Sequence, residues 1–156
     1  IALLPKQLCF VFKRELLWIP FFGWALALLK MIHINRASKQ TAALSVASQG
    51  RKRLSEGKWI MLFPEGTRTP IGSTKPYRKG GARLASATNA WVIPIAHNAG
   101  HFWPKNSFLK YPGKIIVSIG PAISSDDKSA GQLHQNAEQW IEAEMRVIDA
   151  PAYKPN

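Results

Sequence analysis

Acidic residues are scarce in this chain: nine Asp and Glu stand against 21 Lys and Arg, a net charge of +12. That imbalance points to anionic partners, whether nucleic acid, an anionic membrane surface or phosphorylated ligands. Cysteine is almost absent. Cys9 is alone, which excludes an internal disulfide and fits a reducing compartment. It lies in the apolar run Leu8-Cys9-Phe10-Val11-Phe12, where a buried structural thiol is expected rather than a nucleophile. No His, Cys or Asp cluster has metal-ligand spacing, so no metal is expected. No uncharged run reaches the ~20 apolar residues that cross a bilayer. There is no basic segment leading into an apolar core and a cleavage site, and no internal repeat. The chain opens on Ile1 rather than Met, which reads as an internal piece of something longer.

What is present is globular in composition. The 156 residues are 46% hydrophobic and 19% charged, enough for one domain with a real core. Leu8 to Phe12 reads as a first strand. Leu16 to Leu29 is uncharged, with Pro20 and Gly23 breaking it into a turn and a short helix. It fits either a buried core helix or an interfacial segment dipping into lipid, and Trp18 and Trp24 with flanking basic residues suit the interface. Met31 to Asn35 reads as a second strand ending at Arg36. Ala37 to Ser55 reads as a helix with Ala43, Ala47, Gly50 and Leu54 on one face and Gly57 as its C-cap region. Trp59 to Phe63 is a third, buried strand.

A loop over Pro70 to Gly81 follows, then a small-residue helix over Ala82 to Thr88. Val92 to Ala96 is an apolar run in which Pro94 marks a strand end or edge. His97 to Ser107 is irregular, and Ile115 to Ile119 is a strand closed by Gly120-Pro121. The last helix runs from about Ser129 to Asp149. Ser129 and Gln132 match a capping box, and Ala137, Ile141, Met145 and Ile148 form its apolar stripe. Pro151 ends it, leaving 151–156 as a loose tail. Strands alternating with helices imply an α/β fold, a layered, mostly parallel or mixed central sheet flanked by helices, as a single domain over 1–150.

The chemistry gathers at strand ends. Phe63-Pro64-Glu65-Gly66-Thr67-Arg68-Thr69 sends a carboxylate, a hydroxyl and a guanidinium out of one loop. Open α/β sheets place their ligand sites at such ends. Arg36 ends strand two, Arg68 follows strand three, and Lys75, Arg78 and Lys79 lie in the next loop. Gly66, Gly80 and Gly81 let the backbone come close. Together they form a candidate phosphate pocket of guanidinium forks, ammonium charges and free amides.

These residues carry a resemblance. Phe63 to Thr69 is similar to the third signature block of the glycerolphosphate acyltransferase family, specifically the lysophosphatidic acid acyltransferases. Ile32-His33-Ile34-Asn35-Arg36 resembles their second block and Val92-Ile93-Pro94-Ile95 their fourth. Lys13 to Leu16 with Ile19 to Gly23 resembles the stretch between blocks one and two, and Lys79-Gly80-Gly81 the lysine-glycine after block three. The resemblance covers nearly the whole chain. It implies acyl transfer from a thioester, on coenzyme A or acyl carrier protein as co-substrate, to 1-acyl-glycerol-3-phosphate, giving phosphatidic acid with no other cofactor. Carried over residue by residue, Arg36 and Arg68 would hold the acceptor phosphate. Glu65, Gly66 and Thr67 would shape the glycerol site, with Lys75 and Lys79 as further anion contacts. The resemblance also implies association with an anionic membrane surface, at the cytoplasmic face of the cell membrane.

One departure stands out. The family's general base is a histidine in a His-x4-Asp block, and here the residues five places after His33, His97, His101 and His134 are Ser38, Phe102, Asn106 and Gln139. The resemblance therefore implies a truncated acyltransferase with no catalytic residue of its own and negligible activity alone. His97 reads as a surface or supporting histidine in preference to a pocket-lining one, and His33 as a sheet-face residue or pocket wall. His101 and His134 have no partner nameable from sequence. Two other readings stay open: a non-catalytic basic lipid-binding protein, and a nucleic-acid-binding module. The second is disfavoured because the aromatics cluster in apolar runs rather than among the basic residues. Oligomeric state is undetermined by the sequence.

Overall fold

The computed structural model describes residues 6–35 and 39–153. Their contacts fall into two compact units, Ile1–Leu62 and Phe63–Asn156.

The first unit is a parallel three-stranded sheet with helices. Strand β1 (Leu8–Lys13) is central, between β2 (Ile32–Ile34) and β3 (Trp59–Met61). Val11 is in register with Ile32, and Cys9 with Ile60. Helix α1 (Phe22–Leu28) joins β1 to β2, and α2 (Lys39–Ser55) joins β2 to β3, so both parallel connections are helical, as such connections require. The centre of the unit is apolar: Cys9 and Ile32 are fully buried and Leu8 nearly so. Burial raises the Cys9 thiol pKa, as expected of a structural thiol. Val46 is the most buried side chain described on α2, beside Gly50; Ala47 and Leu54 are half-buried.

Helix α2 is tied to the edge strand by a side chain that imitates a ladder. The Gln49 amide donates to the His33 carbonyl at 2.9 Å and accepts from the His33 N–H at 3.3 Å. Ser45 donates to the same carbonyl at 3.1 Å. The helix ends as the sequence suggests. Gly57 takes φ +73, its N–H reaches Leu54 O at 2.9 Å, and Lys58 N–H reaches Arg53 O at 3.0 Å, a Schellman closure.

Leu16 to Leu29 does not form a buried core helix. A 3₁₀ turn (Arg14–Trp18) leads into α1, where only Gly23 is buried. Trp18 is 80% exposed, Phe21 77% and Leu28 82%. Gly23 is required there, because its backbone lies against the Leu17 carbonyl where a Cβ would collide. Of the two sequence readings, the core helix fails because the helix is too short to bury its aromatics against the sheet. Among the described residues no helix is long and apolar enough to cross a membrane.

The second unit is built on α4 (Ala130–Ile148). Helix α3 (Gly80–Thr88) packs against it, as does the antiparallel pair β4 (Ile95–His97) and β5 (Val117–Ile119). The pair is a second sheet, separate from the parallel one, and it is extended by a bridge from Val92 to Ile123. Pro94, which has no N–H to donate, falls between bridge and strand, and its carbonyl accepts from Gly120 N–H at 2.9 Å. Strand β5 is shorter than its apolar run, since Ile115 and Ile116 lie outside it and are exposed. Helix α3 starts two residues before Ala82, at Gly80.

Both halves of the α4 capping box are present. Gln132 N–H reaches Ser129 Oγ at 3.3 Å, and Ser129 N–H reaches Gln132 Oε1 at 2.8 Å. Leu133, fully buried, leads the apolar stripe, with Ala137, Ile141, Met145 and Ile148 half-buried below it. The helix ends at Asp149, before Pro151. Of the expected tail, 151–153 belong to a 3₁₀ turn, Ala150–Tyr153, with the Gly72 backbone pressed on the Ala152 carbonyl, and 154–156 lie outside the described residues.

Leu133→Ala is expected to lower unfolding free energy by about 3 kcal/mol, and Ser129→Ala by about 1 kcal/mol. Urea denaturation followed by circular dichroism measures both. Equal losses would show that α4 does not anchor the unit through Leu133.

Candidate functional site

Two residues beyond β3 the chain enters a tight turn. Gly66 N–H donates to Phe63 O at 3.0 Å, closing the turn. Pro64 fills its second position, where a fixed φ fits, and Gly66 its fourth. Gly66 has φ +69, and a Cβ there would collide with the Arg78 side chain. The positive φ is what requires glycine, since the flexible end of Arg78 can move aside. The returning loop is fixed to the same turn by Arg78 N–H, which donates to Pro64 O at 2.8 Å. Arg78 is thus the loop cation laid across the turn. It lies outside the expected site residues, because nothing local in the sequence marks which of the loop's three cations folds back.

The motif's side chains divide. Glu65 points inward and is half-buried. Burial, with the Glu142 carboxylate as a smaller contribution, holds its pKa above the ordinary glutamate value. Glu142 accepts the buried Tyr77 hydroxyl at 2.9 Å on Oε1, while Oε2 is buried without a partner among the described residues. Thr67 and Arg68 point outward and are exposed. The Arg68 guanidinium carbon stands 4.7 Å from the centre of the Trp103 ring, and Lys110 Nζ also stands 4.7 Å from it. Among the described residues no carboxylate pairs with Arg68 or Lys110. Two cations share one indole with no anion between them. Trp103 and Lys110 lie far along the chain from Arg68, and no sequence signal links them.

The other candidates are placed differently. Lys75 lines a hollow with Thr74, Pro76, Glu138, Glu142 and Arg146, so it faces the mixed charges of α4. Lys79 is exposed and stands at the N-cap of α3, where its carbonyl accepts from Arg83 N–H at 3.0 Å. Arg36 lies outside the described residues. His33 lines a hollow in the first unit with Phe12, Met31, Gln49 and Arg53. His97 is exposed on β4, and its Nδ1 accepts from Ala99 N–H at 3.3 Å. The two histidines without a nameable partner have one. His101 Nε2 is 2.6 Å from Asp149 Oδ1, and Asp149 is itself buried at the end of α4; His134 pairs with Glu138 one turn on, at 3.4 Å. The first pair joins residues 48 apart, beyond any local pattern.

Residues 1–98 match the family model described as Acyltransferase. The chain belongs to the acyltransferase family. It is 48% identical, over 141 residues, to the 1-acyl-sn-glycerol-3-phosphate acyltransferase of Pseudomonas aeruginosa, a match covering 88% of this chain and 55% of that protein. The enzyme of that name from Cocos nucifera is 31% identical over 126 residues, covering 80% of this chain and 41% of its own. The crystal structure of the 1-acyl-sn-glycerophosphate (LPA) acyltransferase PlsC from Thermotoga maritima superposes with a TM-score of 0.74 at 25% identity, covering 91% of this chain and 57% of that one. The chain therefore spans about half the length of the curated relatives it matches. The α/β fold expected from the sequence is the fold of that acyltransferase.

In this acyltransferase chain the inward carboxylate gives a pH dependence. The folded state holds the Glu65 proton more tightly than the unfolded chain does. Stability therefore falls as pH rises through the unfolded and then the folded pKa. Glu65→Gln keeps the shape and removes that ionisation. Its urea midpoint is expected to match wild type at about pH 4 and to exceed it at about pH 7. A constant difference at both pH values would show that burial does not raise the Glu65 pKa.

Proposed function

We propose that this acyltransferase chain supplies the acceptor side of acyl transfer from a thioester of coenzyme A or acyl carrier protein to 1-acyl-sn-glycerol-3-phosphate. The glycerol hydroxyl loses its proton to a base and its oxygen attacks the thioester carbonyl. The carbon–sulfur bond breaks, the thiolate takes up a proton, and phosphatidic acid is formed. The observation that carries the reading is Arg68, a motif guanidinium held over Trp103 beside Lys110 with no carboxylate for a partner among the described residues. Such a pair of uncompensated cations suits a phosphate monoester. Arg78 lies across the Gly66 turn and adds a third positive group. Glu65 acts from below, fixing the turn through its buried side, while Thr67 faces the glycerol. Arg36, Lys75 and Lys79 are further phosphate contacts on the family pattern, and Lys75 is the weakest of them because α4 carboxylates already face its hollow.

None of the four histidines is followed five residues on by aspartate, so the base is not among them in the family's pattern. His101 does meet an aspartate, but Asp149 lies 48 residues away and ties two elements of the unit together. Acyl transfer by these residues alone is accordingly negligible. The membrane holding the lipid acceptor is met through the exposed apolar residues of α1 and the turn before it, Trp18, Phe21, Trp24 and Leu28, with an anionic surface favoured by the net charge of +12. The cytoplasmic face is the side this reading assigns.

The test is a chimera in which this chain replaces the matching part of the Pseudomonas relative. It is expected to make phosphatidic acid from 1-acyl-glycerol-3-phosphate and acyl-coenzyme A, while the chain alone does not. Arg68→Ala in the chimera is expected to raise KM for the acceptor about 10- to 100-fold, the loss of charge-assisted hydrogen bonds to phosphate, with a smaller effect on KM for the donor. A folded chimera without acyl transfer would overturn the reading. An unchanged acceptor KM would remove Arg68 from the phosphate site.

A further inference from the structure

Between Glu65 and Asp126 the sequence holds no acidic residue. Within that span a loop closes on itself. Tyr111 N–H donates to Phe102 O at 2.8 Å and shuts its base. Inside, the Ser107 hydroxyl donates to Leu109 O at 3.1 Å, Ser107 N–H reaches Pro104 O at 3.3 Å, and the Trp103 indole N–H donates to Ser107 O at 3.0 Å. Asn106 takes the left-handed conformation that turns the chain, at φ +61. The Phe102 ring packs on the Gly113 backbone where no Cβ would fit.

A loop with this many internal bonds has a set shape, yet its tip is apolar and uncovered. Phe108 is 101% exposed and Leu109 67%. Trp103 and Tyr111 flank them, also exposed, and are ring types that favour the headgroup layer of a bilayer. Lys105 and Lys110 in the loop and Lys114 just beyond it are exposed. Single exposed apolar residues are ordinary; adjacent ones on a braced loop flanked by cations are not.

We propose that the loop Phe102–Tyr111 is a membrane-insertion element. Phe108 and Leu109 enter the acyl region of an anionic bilayer, and Lys105, Lys110 and Lys114 lie against its phosphate headgroups. Charge selects this occupant. A second copy docking tip to tip would bring two sets of lysines together with no carboxylate in either loop to offset them. An anionic bilayer offers both the apolar interior and the negative surface. The inference deepens the function proposed above, on which its purpose rests. Arg68 stands on Trp103 at the base of this loop, so insertion would hold the phosphate-binding cation at headgroup level.

The test separates the two ideas by using vesicles that contain no lysolipid. In the full chain, Phe108→Cys is labelled with an environment-sensitive fluorophore, with Cys9→Ala to remove the other thiol. Phosphatidylcholine vesicles with phosphatidylglycerol are expected to shift the emission to the blue and raise it several-fold. Pure phosphatidylcholine should do so far less, and ~0.5 M salt should reverse most of the change. In sedimentation, Phe108→Asp with Leu109→Asp is expected to lower the vesicle-bound fraction about tenfold at an unchanged circular dichroism spectrum. Vesicle binding with an unshifted probe would overturn the proposal, because another segment would then be the contact. So would an absence of binding, or a shift without vesicles that grows with protein concentration, which would identify a second copy as the occupant.

Discussion

The backbone of Gly66 lies directly beneath the Arg78 side chain, and the site depends on that approach. Gly66 leaves the turn at a positive φ that other residues rarely adopt, and the Arg78 side chain occupies the space beside its Cα. Pro64 serves the same end twice, setting the φ of the turn and offering the carbonyl that holds Arg78 N–H at 2.8 Å. A glycine and a proline therefore hold Arg78, from the returning loop, against the turn that Arg68 follows. Family signatures of this kind are often read as lists of contacting side chains. Here the backbone geometry comes first, and the side chains follow from it.

That geometry separates charges by direction. Glu65 is turned toward α4, where burial and, to a smaller extent, Glu142 disfavour its ionised form. Arg68 is turned outward and meets an aromatic ring and a second cation. A glutamate and an arginine three residues apart would ordinarily screen each other. Keeping them on opposite sides of the turn leaves the positive charge uncompensated at the surface, the condition an incoming phosphate needs. The same outward face carries the braced Phe102–Tyr111 loop through Trp103, so the two cations and the apolar tip share one indole.

Much of the fold was legible because its signals are local. The β1 run, the Gly57 closure of α2 and the Ser129–Gln132 box on α4 are each written within a few residues, and each stands where the pattern put it. The motif's turn was legible for the same reason. What escaped was set by contacts between distant residues. His101 with Asp149, Arg68 with Trp103 and Tyr77 with Glu142 carry no mark in the chain near either partner. Lys75 is among the expected anion contacts and Arg78 is not, yet the path of the loop lays Arg78 on the turn and turns Lys75 toward α4. Leu16 to Leu29 left two readings because its composition suits burial in protein or in lipid equally; its exposure decides against the protein core. Leu133, one turn before Ala137, is the most buried residue of α4 and lies outside the expected stripe.

The central claim is that the outward cations around the Gly66 turn recognise a phosphate rather than an acyl chain or glycerol. Direct binding to the chain, without any acyl donor, tests it most plainly. Isothermal titration should compare 1-acyl-glycerol-3-phosphate with the monoacylglycerol of the same chain length, both below their aggregation limits. The account predicts at least about tenfold tighter binding of the phosphate-bearing lipid, the worth of one charge-assisted contact, and loss of that preference in Arg68→Ala. Equal affinities for the two lipids would contradict it.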